Sequence, residues 1–91
     1  MTQKICMHYY VSGRVQGVFF RAYTQSRATS LGVVGFVRNL SDGRVEVMAV
    51  GTALQLEAFS LWLQSGPPQA RVEGVTQEIV ALQEFEGFEV L

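Results

Sequence analysis

The sequence predicts an α+β domain in which two helices cover one face of an antiparallel sheet. Strand-like and helix-like patterns follow one another in the order β-α-β-β-α-β, both helical segments have recognisable ends, and a turn signal joins the two central strands. The chain has 91 residues, of which 48% are hydrophobic and 16% charged. That is enough for one core, so we expect residues 1–91 to form a single domain.

The first strand and the first helix are joined by a glycine-rich loop. Side chains alternate with a period of two from Ile5 to Ser12, which indicates a strand. The segment from Phe20 to Leu31 has helical spacing, and Gly32 stands where a left-handed residue would end the helix. The residues expected on the core face of this helix are Phe20, Tyr23, Ala28 and Leu31.

The next two strands form a hairpin. The segment from Val33 to Leu40 is rich in β-branched and aromatic residues, and Val45 to Ala49 alternates again. Between them, Asp42-Gly43 is the dipeptide typical of a two-residue hairpin turn.

The second half of the chain supplies another helix and strand. Thr52 and Gln55 have capping-box spacing, and Gly66-Pro67-Pro68 ends the helix. Its core face is expected to carry Leu56, Phe59 and Leu63, with Trp62 beside them. A fourth strand is predicted from Val72 to Leu82, with a bulge near Gly74, and a short edge strand from Phe88 to Leu91.

This order of elements predicts the split β-α-β, or ferredoxin-like, sandwich. In this topology the first two strands run in the same direction, with the third between them, so their carboxyl ends lie at one edge of the sheet. We therefore expect Asn39, at the end of the second strand, to lie near the loop that follows the first strand.

That loop favours anion binding. Gly13 and Gly17 allow a tight turn whose backbone N–H groups converge at the start of a helix, and Arg21 adds a permanent positive charge with a planar set of donors. Many strand-to-helix turns contain glycine and arginine, so this pattern alone leaves a solvated arginine and a structural loop open.

Composition limits the other possibilities. The net charge of −1 gives no general attraction to nucleic acid or to an anionic membrane, and Cys6 is the only cysteine. No Cys cluster can hold zinc, no segment approaches the roughly 20 apolar residues of a membrane span, and no secretory signal is visible. We expect a cytoplasmic monomer without metal, cofactor, membrane or nucleic-acid partner.

Two longer motifs are similar to those of a known family. Residues 11–21 read VSGRVQGVFFR, and residues 35–39 read GFVRN, followed by Gly43, Val45 and Gly51. In both motifs, and over nearly its whole length, the chain resembles the acylphosphatases. The resemblance implies metal-independent hydrolysis of the carboxyl–phosphate bond of small acyl phosphates to a carboxylate and inorganic phosphate.

The resemblance also assigns residues. It implies that Arg21 and Asn39 are catalytic, and that phosphate is bound by the backbone N–H groups of Gln16, Gly17, Val18, Phe19 and Phe20. Elementary chemistry agrees with these roles. A carboxylate leaves readily because its conjugate acid has a pKa of about 4, and a neutral asparagine can orient water without repelling phosphate.

Several alternatives stay open or are disfavoured. The domain could hold an acyl phosphate without hydrolysing it, or bind RNA, although the third strand offers no stacking aromatics. His8 and Cys6 are interpreted as strand residues rather than as a base or a nucleophile. Arg14 could face solvent or steer the anionic substrate.

Overall fold

In a computed structural model that describes residues 3–91, the elements follow the predicted order. Their bounds are β1 Ile5–Arg14, α1 Phe20–Leu31, β2 Val34–Asn39, β3 Val45–Gly51, α2 Ala53–Ser65, β4 Arg71–Val80 and β5 Phe88–Val90. Within these residues the strands form one sheet in the order β4-β1-β3-β2-β5. The predicted fold class is confirmed.

The sheet is mixed rather than purely antiparallel. The pairs β4–β1, β1–β3 and β3–β2 are antiparallel, whereas β5 pairs in parallel with β2. Because β1 and β2 both run opposite to β3, their carboxyl ends lie at the same edge of the sheet. The short strand β5 lies beside the end of β2 at that edge.

The helix ends are set by local hydrogen bonds. At the start of α2, the backbone N–H of Gln55 donates to the Thr52 hydroxyl over 3.2 Å, and the Thr52 N–H donates to the Gln55 side chain over 2.8 Å. This is the predicted capping box. Gly32 ends α1 in the left-handed region, with φ at 79°.

One predicted core position of α1 is wrong. Tyr23 is 47% exposed, and Thr24 is fully buried instead. The Thr24 hydroxyl donates to the carbonyl oxygen of Phe20 over 2.8 Å, so its polar atom is satisfied within the helix. A threonine can therefore occupy a position that an apolar pattern would not assign to it.

The β2–β3 turn also differs from the prediction. The Leu40 N–H donates to the Arg44 carbonyl oxygen over 2.8 Å, which leaves three residues in the loop instead of two. Gly43 lies at φ 97°, and its N–H donates to the Leu40 carbonyl oxygen. This is the three-residue hairpin in which glycine takes the left-handed position after a turn.

The predicted bulge in β4 is confirmed. Ser12 is opposite Gly74 but Gly13 is opposite Val72, so Glu73 is the extra residue. The strands approach so closely here that a Cβ on Gly13 would lie 2.1 Å from the Arg71 carbonyl oxygen. Glycine is therefore required at this position near the end of β1.

The two faces of the sheet are packed differently. The helices cover the main core, in which Tyr9, Phe20, Phe59 and Leu63 are the largest side chains that are almost completely buried. The opposite face carries a small cluster around Cys6, Met48 and Val50, against which Phe36 and Phe85 pack. No helix within residues 3–91 has the length and apolar character needed to cross a lipid bilayer.

Candidate active site

A pocket of about 310 Å³ lies where β1 leads into α1 and where β2 ends. Its lining residues are Val15, Gly17, Phe19, Phe20, Arg21, Ala22, Asn39 and Val90. Arg21 and Asn39 are 18 positions apart in the sequence, and the strand directions bring them to one pocket. Val90 joins them because β5 lies parallel to β2.

The loop between β1 and α1 is shaped by left-handed residues. Gly17 has φ at 73°, and Phe19, at the N-cap of α1, has φ at 61° and ψ at 25°. The Phe19 side chain makes no capping hydrogen bond, and no N–H from Gln16 to Phe19 donates to another backbone group within residues 3–91. A helix start with free N–H groups attracts anions, because the helix dipole is positive at that end.

Arg21 lies in the first turn of α1 and is half-buried. Its Nη1 donates a hydrogen bond to the main-chain oxygen of Leu91 over 3.0 Å. A guanidinium has five N–H donors, so this bond fixes the side chain while leaving most donors free for an anion. Gln25, one turn further along the helix, donates to the carbonyl oxygen of Phe88 over 2.8 Å. The β5 segment thus holds the start of α1 at two points.

Asn39 is the last residue of β2 and is partly buried. Its Oδ1 atom is buried and accepts no hydrogen bond from any residue between 3 and 91. A buried acceptor without a partner costs about 1–3 kcal/mol. The carboxamide therefore has a hydrogen-bonding capacity that the fold itself does not use.

Gln16 connects the loop with the hairpin that carries Asn39. Its Nε2 donates to the carbonyl oxygens of Leu40 and Arg44, over 2.8 and 2.9 Å. Both N–H groups of the carboxamide are used in this way, so the side chain sets the spacing between the two halves of the pocket. The sequence prediction concerned only the backbone N–H of Gln16.

The remaining sequence candidates lie as follows. Val18 and Phe20 bury their side chains in the core, and of the loop residues Gly17, Phe19 and Phe20 line the pocket whereas Gln16 and Val18 do not. Arg14 is exposed at the end of β1 and does not line the pocket. His8 lies on the helix-free face of the sheet, where its Nε2 is 2.7 Å from Glu46 Oε2.

Glu46 forms a polar cluster with His8 and Arg38, none of which lines the pocket. Burial raises the pKa of Glu46, but the hydrogen bonds and charges of His8 and Arg38 outweigh burial and hold that pKa below its ordinary value. Glu46 is almost completely buried between these partners. Among residues 3–91, no three His, Cys, Asp or Glu side chains are grouped as metal ligands.

The fold can be compared with solved structures, and these comparisons define the class of protein. The chain superimposes on the acylphosphatase of Coxiella burnetii over the full length of both chains, with a TM-score of 0.95 and 41% identity. It also superimposes on the Bacillus subtilis acylphosphatase, with a TM-score of 0.93 and 32% identity over 96% of this chain and 98% of the other. These are ferredoxin-like α+β domains.

Sequence comparison identifies the family. The acylphosphatase family profile matches residues 7–90. The acylphosphatase of Legionella pneumophila strain Philadelphia 1 is 50% identical over 91 residues, which cover all of both chains. The chain belongs to the acylphosphatase family of hydrolases.

Proposed function

We propose that this protein hydrolyses small acyl phosphates to a carboxylate and inorganic phosphate. One observation carries the proposal: Arg21 and Asn39 line a single pocket at a helix start whose N–H groups are not capped by a side chain. Family membership supports the same reaction. The arrangement provides a permanent cation, several neutral donors and one carboxamide.

The phosphoryl group binds to the backbone N–H groups from Gln16 to Phe20 and to the Arg21 guanidinium. Transfer of a phosphoryl group requires that the equatorial oxygens be held and their charge be stabilised. Fixed N–H groups and a guanidinium provide this without rearrangement during the reaction. The bond from Arg21 to Leu91 supports the role, because a guanidinium that is already oriented loses less freedom on binding.

Asn39 positions the attacking water. A carboxamide is not basic at neutral pH, so its role is to accept a hydrogen bond from water and to aim it in line with phosphorus. In the structure Oδ1 is buried. We infer that rotation about the Cβ–Cγ bond, a soft torsion, turns this oxygen towards the water when substrate binds.

The bond changes are simple. The water oxygen bonds to phosphorus while the bond from phosphorus to the acyl oxygen breaks, and the electron pair leaves with the carboxylate. The attacking water releases one of its two protons to solvent, and the other stays on the inorganic phosphate that forms. Because a carboxylate is a weak base, the leaving group needs no protonation. The mechanism therefore requires no general acid, metal ion or cofactor.

The pocket is lined by the β1–α1 loop, α1, β2 and β5. We propose that the monomer is the active form. The partners we propose are a small acyl phosphate and the phosphate released from it. A single domain over residues 1–91 suffices for this activity.

Steady-state hydrolysis of benzoyl phosphate in the presence of EDTA tests the proposal. We expect turnover that EDTA does not reduce. Well-folded protein that binds inorganic phosphate but does not hydrolyse the substrate would show a binding domain instead of an enzyme. Activity that appears only after metal is added would contradict the mechanism.

A further inference from the structure

An apolar rim borders the pocket. It consists of Phe19 and Val90, which line the pocket although 72% and 39% of their surfaces remain exposed. Neither side chain belongs to the core clusters found within residues 3–91. The rim is thus apolar surface that the fold does not need for its own packing.

Phe19 occupies this place in an unfavourable conformation. Its φ of 61° lies in the left-handed region, where a bulky residue is uncommon and glycine or asparagine is preferred. An exposed ring contributes little to folding, so burial of this side chain does not offset the strain. Strained residues of this kind occur at ligand sites, which makes Phe19 a candidate contact for a ligand.

The direction of a bound substrate leads to the same rim. If the phosphoryl group lies on the N–H groups of the loop and on Arg21, as the proposed function requires, the acyl group must extend towards the open mouth of the pocket. The rim is the apolar part of that mouth. We propose that Phe19 and Val90 bind the acyl group and favour apolar or aromatic acyl groups over acetyl; the inference rests on the proposed function for the orientation of the substrate.

Binding of two acyl phosphate analogues tests this without turnover. Phenacylphosphonate and acetonylphosphonate replace the bridging oxygen by a methylene group and differ only in a phenyl or a methyl group. Calorimetric Kd values give the preference for the aromatic analogue. We expect the wild-type protein to prefer phenacylphosphonate, and the preference to fall about fivefold in Phe19→Asn and in the same direction in Val90→Ser.

The variants are chosen to distinguish the effect of losing the Phe19 ring from the effect of changing the loop backbone. Asparagine tolerates the left-handed conformation, so Phe19→Asn removes the ring with the backbone retained. A ratio of two Kd values cancels any common change in phosphonate binding. Leu61→Ser is the control, because Leu61 is 70% exposed on α2 and does not line the pocket.

The outcomes are distinct. A wild-type protein with equal affinity for both analogues would overturn the proposal, as would Phe19→Asn and Val90→Ser proteins that keep the full preference. A fall of the same size in Leu61→Ser would also contradict it. If the protein does not hydrolyse benzoyl phosphate, the proposed function is refuted. The ratio of the Kd values for the two phosphonates would still show whether Phe19 and Val90 bind the acyl group.

Discussion

At the residue scale, Arg21 is the charged side chain that lines the pocket. The whole chain carries a net charge of −1, so attraction of an anionic substrate must come from local charge. Arg21 is the cation that lines the pocket, and its contact with Leu91 fixes its position. Replacement by a neutral residue therefore removes both charge and orientation.

We predict that Arg21→Gln lowers kcat/KM by about 10²–10³-fold and weakens competitive inhibition by inorganic phosphate at least tenfold. The matched control is Arg27→Gln, because Arg27 lies on the same helix but stacks over Trp62 at 6.0 Å instead of lining the pocket. Near-normal activity of a folded Arg21→Gln protein would contradict the assigned role.

Asn39 is expected to act on turnover rather than on binding. Under the proposed mechanism, Asn39→Ala loses the carboxamide that orients water, while the N–H groups and Arg21 still hold phosphate. We predict a fall in kcat of about 10²–10³-fold with little change in the inhibition constant of inorganic phosphate. An equal loss of kcat and phosphate affinity would show that Asn39 binds phosphate instead of positioning water.

At the element scale, Gln16 couples the β1–α1 loop to the β2–β3 hairpin. Gln16→Ala removes two hydrogen bonds and leaves the Leu40 and Arg44 carbonyl oxygens without that partner. We predict a loss of about 1–2 kcal/mol in the free energy of unfolding, measured by urea denaturation, together with a lower kcat. Gln64→Ala, an exposed change on α2, is the control.

A loss of stability without any change in kcat would mean that the two hydrogen bonds of the Gln16 side chain stabilise the fold but do not affect catalysis. Loss of both would support a role in spacing, because the loop and Asn39 would then move apart. Catalysis depends on distances of this kind to within about 1 Å.

Glu46, in the central strand β3, is expected to make the stability of the protein depend on pH. Its pKa is lower in the folded protein than its ordinary value of 4.5, because His8 and Arg38 stabilise the carboxylate. A lowered carboxyl pKa adds stability that is complete above the ordinary pKa and is lost as the pH falls through the folded pKa. We therefore predict that acid below about pH 4.5 destabilises the protein partly through Glu46.

Melting temperatures of the wild type and of Glu46→Gln between pH 7 and pH 3 provide the measurement. The variant should be less stable at pH 7, and the difference should shrink as the pH falls. A difference that stays constant over this range would show that the charge of Glu46 does not stabilise the fold.

At the scale of the whole molecule, the fold could be predicted because its signals are local. Thr52 and Gln55 mark a helix start, Gly32 and Gly66 mark helix ends, and the order of elements then limits the topology. The same topology predicts that Asn39 lies near the loop after β1. Strand direction is therefore enough to predict the general position of the pocket from the sequence.

Other features depend on contacts that no local pattern reveals. Asp42-Gly43 predicts a two-residue turn, yet the bond between Leu40 and Arg44 selects a three-residue loop. Thr24 is buried because its hydroxyl is satisfied within the helix. The bond from Arg21 to Leu91 joins residues 70 positions apart, so only the parallel pairing of β5 with β2 could indicate it.

Hydrolysis in ¹⁸O-labelled water, with EDTA present, tests the central claim most directly. If water held by Asn39 attacks phosphorus while Arg21 and the loop hold the phosphoryl group, one ¹⁸O atom enters inorganic phosphate and none enters the carboxylate. Mass spectrometry of both products from benzoyl phosphate distinguishes the two positions. Label in benzoate would show attack at the acyl carbon and would contradict the mechanism.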